Sequence, residues 1–184
     1  MDLNGKLLIA MPGMGDPRFA NSVVFMCAHS DDGAMGLIVN KPTPDLQLDD
    51  LLEQLGIAKK NGGRDIRVHF GGPVELGRGF VLHSSDYSVS DATLDVNEQF
   101  GMTATQDVLR ALAEGEGPDS AMLMLGYAGW DSGQLEREII ANGWLIADAS
   151  PGLVFGTDAD AKWAAALKTL GVDPMTLSAT AGRA

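Results

Sequence analysis

The chain has 184 residues, of which 45% are hydrophobic and 21% are charged, and its formal net charge is −12. This length and composition allow one sizeable hydrophobic core, so we expect a single domain over residues 1–184. The excess of carboxylates disfavours direct DNA binding, because nucleic-acid binding draws most of its affinity from Lys and Arg side chains that neutralise phosphates.

The sequence predicts neither secretion nor membrane insertion. The longest clear apolar run, residues 23–28, is far shorter than the roughly 18 residues that a membrane span needs. Only about five apolar residues precede Pro12, too few for the core of a signal peptide. Cys27 is the only cysteine, which excludes an internal disulfide and a cysteine-rich zinc site. We therefore expect a cytoplasmic protein without a membrane association, a metal or a cofactor.

Strand signals dominate the first two thirds of the chain. Clusters of β-branched and apolar residues, bounded by turn signals, predict strands at 7–10, 22–29, 35–40, 67–70, 79–83, 100–103 and 120–127. Several are too apolar to alternate, which is typical of strands covered on both faces. The stretch 84–97, rich in Ser and Asp, is predicted to be an irregular loop.

Helical spacing of apolar residues predicts four amphipathic helices. They span residues 48–55, residues 104–114, a segment from about Asp131 to Gly143, and residues 159–170. The expected N-caps are Thr103 or Thr105 for the second helix, Asp131 for the third, and Thr157 or Asp158 for the fourth. Because no repeated βαβ pattern is visible, the predicted fold class is α+β, with a mixed sheet and about four helices packed around it.

Four motifs with many glycines, prolines and aromatic residues stand out along the chain. They are MPGMGDPRFANSVV from Met11, GAMGLIVNKP from Gly33, HFGGPVELGRGFVLH from His69 and LGYAGWDSGQLEREIIANGWL from Leu125. In order and spacing they cover nearly the whole chain, and the sequence resembles the AlgH/YqgE family of bacterial proteins.

The resemblance implies an AlgH/YqgE-like domain with a partly coiled sheet. It also implies a link with transcription, because one branch of this largely uncharacterised family is named as a regulator of alginate synthesis; a family name alone does not give a mechanism. Two positions depart from the family pattern. Ala28 stands where an acidic residue is usual, and the chain ends Gly182-Arg183-Ala184 rather than Gly-His-Ala.

The segment Gly126–Gln134 is the best candidate for a ligand site. We interpret it as a buried strand that ends in an aromatic turn, containing Tyr127 and Trp130, and then opens a helix whose free N–H groups could hold a carboxylate or phosphate. The alternative is structural. In that case the glycines permit close packing, the two aromatic side chains fill the rim of the core, and Asp131 caps the same N–H groups.

Two further groups complete the candidate site. Gln134, Glu138 and Asn142 recur every four residues, and this polar stripe lines either a groove or a hydrogen-bonded seam against a strand. Arg78 either pairs with Glu75, three residues earlier, or faces an anionic ligand. The candidate ligand-binding residues are therefore Arg78, Tyr127, Trp130, Gln134, Glu138 and Asn142.

No motif specifies an enzyme. The spacing of His29, His69 and His83 matches no metal-binding pattern, and Cys27 lies in a run that is expected to be buried and inert. The sequence favours a non-catalytic binding or indirect regulatory protein that acts through a protein partner or a small anionic ligand.

Two other functions stay open. One is an enzyme or small-anion-binding protein with a pocket between segments 126–130 and 71–78, in which Glu138 or His83 is the acid/base and Arg78 holds an anion. The other is a module that dimerises through an apolar patch or a sheet edge. The oligomeric state is not predicted.

Overall fold

The computed structural model describes residues 1–177. The terminal Gly182-Arg183-Ala184, one of the two departures from the family pattern, lies outside the described residues. In the described part, groups of strands are separated by short helices. The strands are β1 (Lys6–Ala10), β2 (Val23–Ser30), β3 (Gly33–Ile38), β4 (Val68–Phe70), β5 (Val74–Ser84), β6 (Thr93–Asp95), β7 (Phe100–Thr103), β8 (Ala121–Asp131) and β9 (Trp144–Asp148).

The helices of the described residues are α1 (Leu48–Gln54), α2 (Asp107–Ala113), α3 (Gln134–Ile140), α4 (Pro151–Gly156) and α5 (Ala159–Thr169), with a 3₁₀ turn at Pro17–Phe19. Within residues 1–177, none of these helices is both long and apolar enough to cross a membrane.

The strands of the described chain form one curled sheet in the order β6-β7-β5-β8-β3-β2-β1-β9. Strand β4 is outside this order: it pairs with the first half of β8, whereas β3 pairs with the second half. Neighbouring strands are antiparallel except for β4 and β8, which are parallel. The fold is therefore α+β with a mixed sheet, as predicted. The central strand is β8, because its first half lies between β5 and β4 and its second half pairs with β3.

Helices cover both faces of the sheet. On the inner face, buried residues of α4 and α5, such as Leu153 and Leu167, pack against strand residues such as Phe25 and Phe100. On the outer face, α3 covers β1–β3 and β9, whereas α1 and α2 cover β4, β5 and the start of β8. Because both faces are covered there, strands such as β1 and the first half of β2 are buried and apolar on both sides and do not alternate.

Several local predictions are wrong. The expected turn at Gly126–Trp130 is part of β8, which continues to Asp131. The loop 84–97 contains β6, and β9 and α4 were not predicted. The N-caps of α2 and α3 are Gln106 and Gly133 rather than threonine or aspartate. Asp158 does occupy the N-cap position of α5.

Candidate functional site

A bulge at Gly126 interrupts β8 and shapes the site. Gly126 has φ = 75°, a left-handed conformation that disfavours other residue types. Before the bulge Met122 and Met124 pack on the inner face, and after it Tyr127 does. The side-chain alternation of β8 therefore shifts by one residue at Gly126, because one extra residue enters the strand.

The neighbouring strand β5 bulges at the same level. Its register with β8 jumps from Val74 opposite Tyr127 to Gly79 opposite Leu125. Residues 75–78 are consequently left out of the ladder, and all four are exposed to solvent. This double bulge brings Arg78 to the same surface as Tyr127.

An open groove with a volume of about 800 Å³ lies beside the double bulge. Strand β5 borders it on one side and the β2–β3 hairpin on the other, with β8 between them. The groove is lined by the apolar residues Val74, Met35, Phe80, Met102, Ala104 and Tyr127, and by the polar residues Asn4, His29, Ser30, Asp32, Arg78 and Asp131. Ala28, which stands where the family pattern usually has an acidic residue, also lines the groove.

The β5 side of the groove carries a cation above aromatic rings. The guanidinium carbon of Arg78 lies 5.1 Å from the centroid of the Phe80 ring. Phe80 in turn packs edge-to-face against Tyr127, with centroids 5.7 Å apart. Such stacking orients a guanidinium while leaving its N–H groups free to bind a ligand.

Arg78 has one ionic neighbour in the described chain. Its Nη1 lies 3.5 Å from Oε2 of Glu75, and the two side chains are 57% and 53% exposed. An ion pair this exposed contributes little free energy, so an incoming anion can displace Glu75 at small cost. The local ion pair predicted from the sequence is thus present, and it does not block the groove.

The β2–β3 side of the groove is acidic. The His29 Nδ1 accepts a hydrogen bond from the Leu3 amide, so the proton of the neutral ring lies on Nε2, which donates to Glu136. This hydrogen bond is the main cause that lowers the pKa of the Glu136 carboxyl, which belongs to α3 and does not line the groove. Asp32 and Asp131 line the same side. The groove therefore has a cationic side at β5 and an acidic side at the hairpin.

Only part of the predicted site lies in this groove. Arg78, Tyr127 and Trp130 line it, although the Trp130 indole packs on the outer face. Gln134 and Glu138 lie on α3, across the sheet from the inner-face groove, and do not line it.

The polar stripe on α3 makes contacts within the protein. The Glu138 carboxylate accepts hydrogen bonds from the indole N–H groups of Trp130 (3.2 Å) and Trp144 (3.0 Å), and Gln134 donates to its other oxygen. Asn142 follows α3 with φ = 62° and so marks its C-terminal end.

Two other side chains with a possible chemical role, His83 and Cys27, do not line the groove. His83 is fully buried, with Nε2 hydrogen-bonded to Thr103 and Nδ1 to the Ser84 carbonyl, and burial lowers its pKa. Burial raises the pKa of the Cys27 thiol to about 12. Within residues 1–177, no group of three or more His, Cys, Asp or Glu side chains is placed to hold a metal ion.

The sequence profile of the AlgH-like family matches residues 7–175. The chain belongs to the AlgH-like family. Its relatives include UPF0301 proteins of Cereibacter sphaeroides and Ruegeria pomeroyi, each 60% identical, with 100% of both chains covered.

Solved structures agree with this membership. The solution structure of the AlgH protein from Pseudomonas aeruginosa, 42% identical, matches with a TM-score of 0.81 over 94% of this chain and 91% of that chain. A protein of Corynebacterium diphtheriae, 22% identical, matches with a TM-score of 0.72 over 96% and 90% of the two chains and supports the fold alone. The AlgH-like family thus accounts for both the curled sheet and the motifs.

The sequence did not single out most of the groove. His29, Asp32, Met35 and Phe80 line it, but nothing in the sequence signals that the β2–β3 hairpin comes near β5. That proximity depends on the sheet order, in which β8 separates β5 from β3.

Proposed function

We propose that this AlgH-like protein is a non-catalytic binding protein whose groove takes a small ligand with an anionic group and an apolar body. The observation that carries this proposal is the stack of Arg78, Phe80 and Tyr127 along the β5 side of the groove. The guanidinium would bind the anionic group, and the aromatic and methionine side chains would contact the apolar body.

The polar atoms of the stack are available for a ligand. Among the described residues, the Tyr127 hydroxyl has no hydrogen-bond partner, and Arg78 has only the long, exposed contact with Glu75. A carboxylate or phosphate can accept two parallel hydrogen bonds from a guanidinium, which favours Arg78 over a lysine for this role.

Regulation would be indirect and would involve a protein partner in the cytoplasm. The bulge that carries Arg78 also exposes apolar side chains, Val74 and Leu76, which are 36% and 54% exposed. A ligand held by Arg78 would order this bulge and so change the apolar surface offered to a partner. Direct DNA contact has no part in this proposal.

The enzymatic alternative receives no support from the groove. Glu138 and His83, its candidate acid/base groups, do not line the groove. His29 does, but one ring nitrogen accepts from Leu3 and the other donates to Glu136. A general base needs a free nitrogen within reach of the substrate.

The test uses phenyl phosphate and phenylacetate, which combine an anion with an apolar ring. Calorimetric titration should show binding, and amide resonances of Met35 and Gly129 should shift. Arg78→Gln should weaken binding at least about tenfold, since a charge-assisted hydrogen bond contributes roughly 1.5–3 kcal/mol. Arg110→Gln, which removes an exposed arginine of α2 outside the groove, is the matched control. Wild-type affinity in the Arg78 variant, or no binding of either probe, would overturn the proposal.

A further inference from the structure

A second cavity, of about 400 Å³, lies where β4 and the start of β8 meet the junction of α4 and α5. Two polar side chains at this cavity, His69 and Lys162, are each only 2% exposed. Buried polar groups of this kind are normally fully hydrogen-bonded, so each requires an account of its partners.

Lys162 is bonded incompletely. Its Nζ donates to the carbonyl oxygens of Val39 (2.8 Å) and Val154 (2.7 Å). An ammonium group has three donors. Among residues 1–177, neither a third acceptor nor a carboxylate within salt-bridge distance is present for this nitrogen. A buried charge without a counter-charge is costly, and an anion in the cavity would remove that cost.

His69 is the second incomplete group. Its Nδ1 is buried and has no hydrogen-bond partner among the described residues. Burial, followed by the charge of Lys162, lowers the pKa of the imidazole to about 4, so the ring is neutral at pH 7. A neutral imidazole still carries one N–H donor. Backbone groups of Arg67 and Leu123 near the ring oppose this lowering, and the unpartnered Nδ1 is the atom from which an anion bound near Lys162 would accept a hydrogen bond.

The N-terminus of α5 also faces the cavity, through Thr157, Asp158 and Ala159. This helix has 11 residues, and its N-cap Asp158 makes no side-chain capping hydrogen bond. The Ala161 N–H is bonded to the Asp158 carbonyl, but the N–H groups of Ala159 and Asp160 and the positive end of the helix dipole are open to an anion.

Charges at the mouth limit what can enter. Asp65, Asp119 and Asp158 line the cavity and are exposed, whereas the buried groups behind them are cationic or neutral. Arg64 is committed to backbone carbonyls of residues 116, 118 and 119. The backbone carbonyl of exposed Arg67 accepts from the Leu123 amide, but its guanidinium makes no hydrogen bond or ion pair with the described residues. The rim carboxylates repel every anion and polyanions most strongly, and the Arg67 guanidinium at the same rim offsets this repulsion for a small anion.

We infer that this cavity is a binding site for a small oxyanion, a phosphate, sulfate or carboxylate group, held by Lys162, His69, Arg67 and the first turn of α5. The site is separate from the groove at Arg78, since the two cavities share no lining residue. Its ligand completes the hydrogen bonding of two buried side chains and so stabilises the native state as well as occupying the cavity.

The experiment measures thermal stability and calorimetric binding of the full chain with inorganic phosphate, sulfate and acetate, against chloride at equal ionic strength. At least one oxyanion should raise Tm and bind, and Lys162→Met and Arg67→Gln should each weaken binding tenfold or more. Lys168→Met, an exposed lysine of the same helix, should bind like the wild type. If Lys162→Met does not fold, Arg67→Gln tests the inference by itself, because a substitution at the exposed Arg67 should leave the fold intact.

Two results would overturn the inference. One is a change in Tm with the oxyanions no larger than that with chloride, and the other is wild-type binding by the Arg67 variant. Loss of phosphate binding in Arg78→Gln would also overturn it, since the groove would then be the site. A failure of phenyl phosphate to bind the groove leaves this test unaffected, so the two proposals fail separately.

A pH series distinguishes a bound oxyanion from a general salt effect. Burial lowers the pKa of Lys162 to about 8, and the charge of Arg67 contributes. Because the oxyanion binds the ammonium form, sulfate affinity should be highest below pH 8 and fall as the pH rises through 8 to 9. Sulfate itself stays a dianion over this range. The other charged or titratable groups that line the cavity are Arg64, Asp65, Arg67, His69, Asp119 and Asp158. Unchanged affinity between pH 7 and 9 would contradict a role for Lys162.

Discussion

Glu138 shows how a single side chain secures one side of this molecule. Its carboxylate accepts from the indoles of Trp130 and Trp144, which are 7% and 2% exposed. The two indoles belong to β8 and β9, and the carboxylate belongs to α3, so these bonds fix the helix to the outer face of the sheet. Buried indole N–H groups need an acceptor, and Glu138 supplies it for both.

Removal of this acceptor should be costly. Glu138→Ala leaves two indole N–H groups without their partner, and each such group costs about 1–3 kcal/mol. We expect the free energy of unfolding to fall by about 2–4 kcal/mol, whereas Glu138→Gln should lose less than half as much because it keeps one oxygen. Urea unfolding followed by tryptophan fluorescence measures both. Equal loss in the two variants would show that the carboxylate charge, not the acceptor, is needed.

Cys27 allows a second test at the residue scale. The thiol is 3% exposed, and its pKa of about 12 leaves almost no thiolate near pH 8. We expect the folded protein to react with iodoacetamide only as fast as it unfolds, and the urea-denatured protein to react at the rate of a free thiol. Mass spectrometry of timed samples measures both rates. Complete labelling of the folded protein within minutes would contradict the burial.

At the scale of elements, the bulge in β8 determines which side chains reach the groove. A Cβ added at Gly126 would lie 2.4 Å from the Gly72 carbonyl oxygen, in addition to the cost of φ = 75°. Left-handed backbone at a non-glycine residue costs about 1–3 kcal/mol. The bulge therefore depends on glycine at this position.

Gly126→Ala should accordingly lower the free energy of unfolding by at least about 2 kcal/mol, from the backbone cost and the clash together. It should also weaken phenyl phosphate binding, because Tyr127 and the β5 bulge shift. Gly77→Ala is the matched control, since a Cβ there meets nothing within 4 Å. Chemical denaturation and calorimetry measure the two effects. A Gly126 variant as stable as the Gly77 variant would refute this account of the bulge.

This bulge also explains where prediction from the sequence failed. Glycines bracketing an aromatic pair are typical of a turn, and only the pairing of this segment with β5 and β3 shows that the strand continues. The short α4 was missed even though Ser150 caps it and Pro151 begins it. In contrast, α1 and α5 were found because their apolar spacing and terminal glycines are local signals. The fold class was predictable for the same reason.

The candidate site was less predictable than the elements. Arg78 and Tyr127 stood out because they lie in glycine-rich segments that carry the family motifs. Lys162 did not, since a lysine on a helix is normally solvated, and only the contacts with Val39 and Val154 show that it is buried. Contacts between residues more than a hundred positions apart leave no pattern in a single sequence.

At the scale of the whole molecule, the charges argue against polyanion binding. Of the described cations, Lys6, Arg18, Lys59, Lys60 and Arg78 each lie within 4 Å of a carboxylate. Two of them belong to the basic segment 59–67, the densest group of cations in the sequence. Local carboxylates thus neutralise cations that a nucleic acid would otherwise contact.

We therefore expect no retardation of a short promoter fragment by the purified protein at physiological salt. A double variant, Asp49→Asn with Glu114→Gln, releases Lys59 and Lys60 from their carboxylates and should bind weakly at low salt, with an affinity that falls as salt rises. Electrophoretic mobility assays over a salt series measure both proteins. Tight, steeply salt-dependent binding by the wild type would contradict the expectation.

The pairing of β1 with β9 has a consequence for synthesis on the ribosome. Lys6 lies opposite Asp148, so one edge of β1 has no hydrogen-bonding partner until β9 has been synthesised. In the same way, one edge of β3 has no partner until β8 has been synthesised. Until then the nascent β1–β3 meander exposes two unpaired apolar edges, which are prone to association. Completion of this sheet is thus delayed until residues 144–148 have been synthesised.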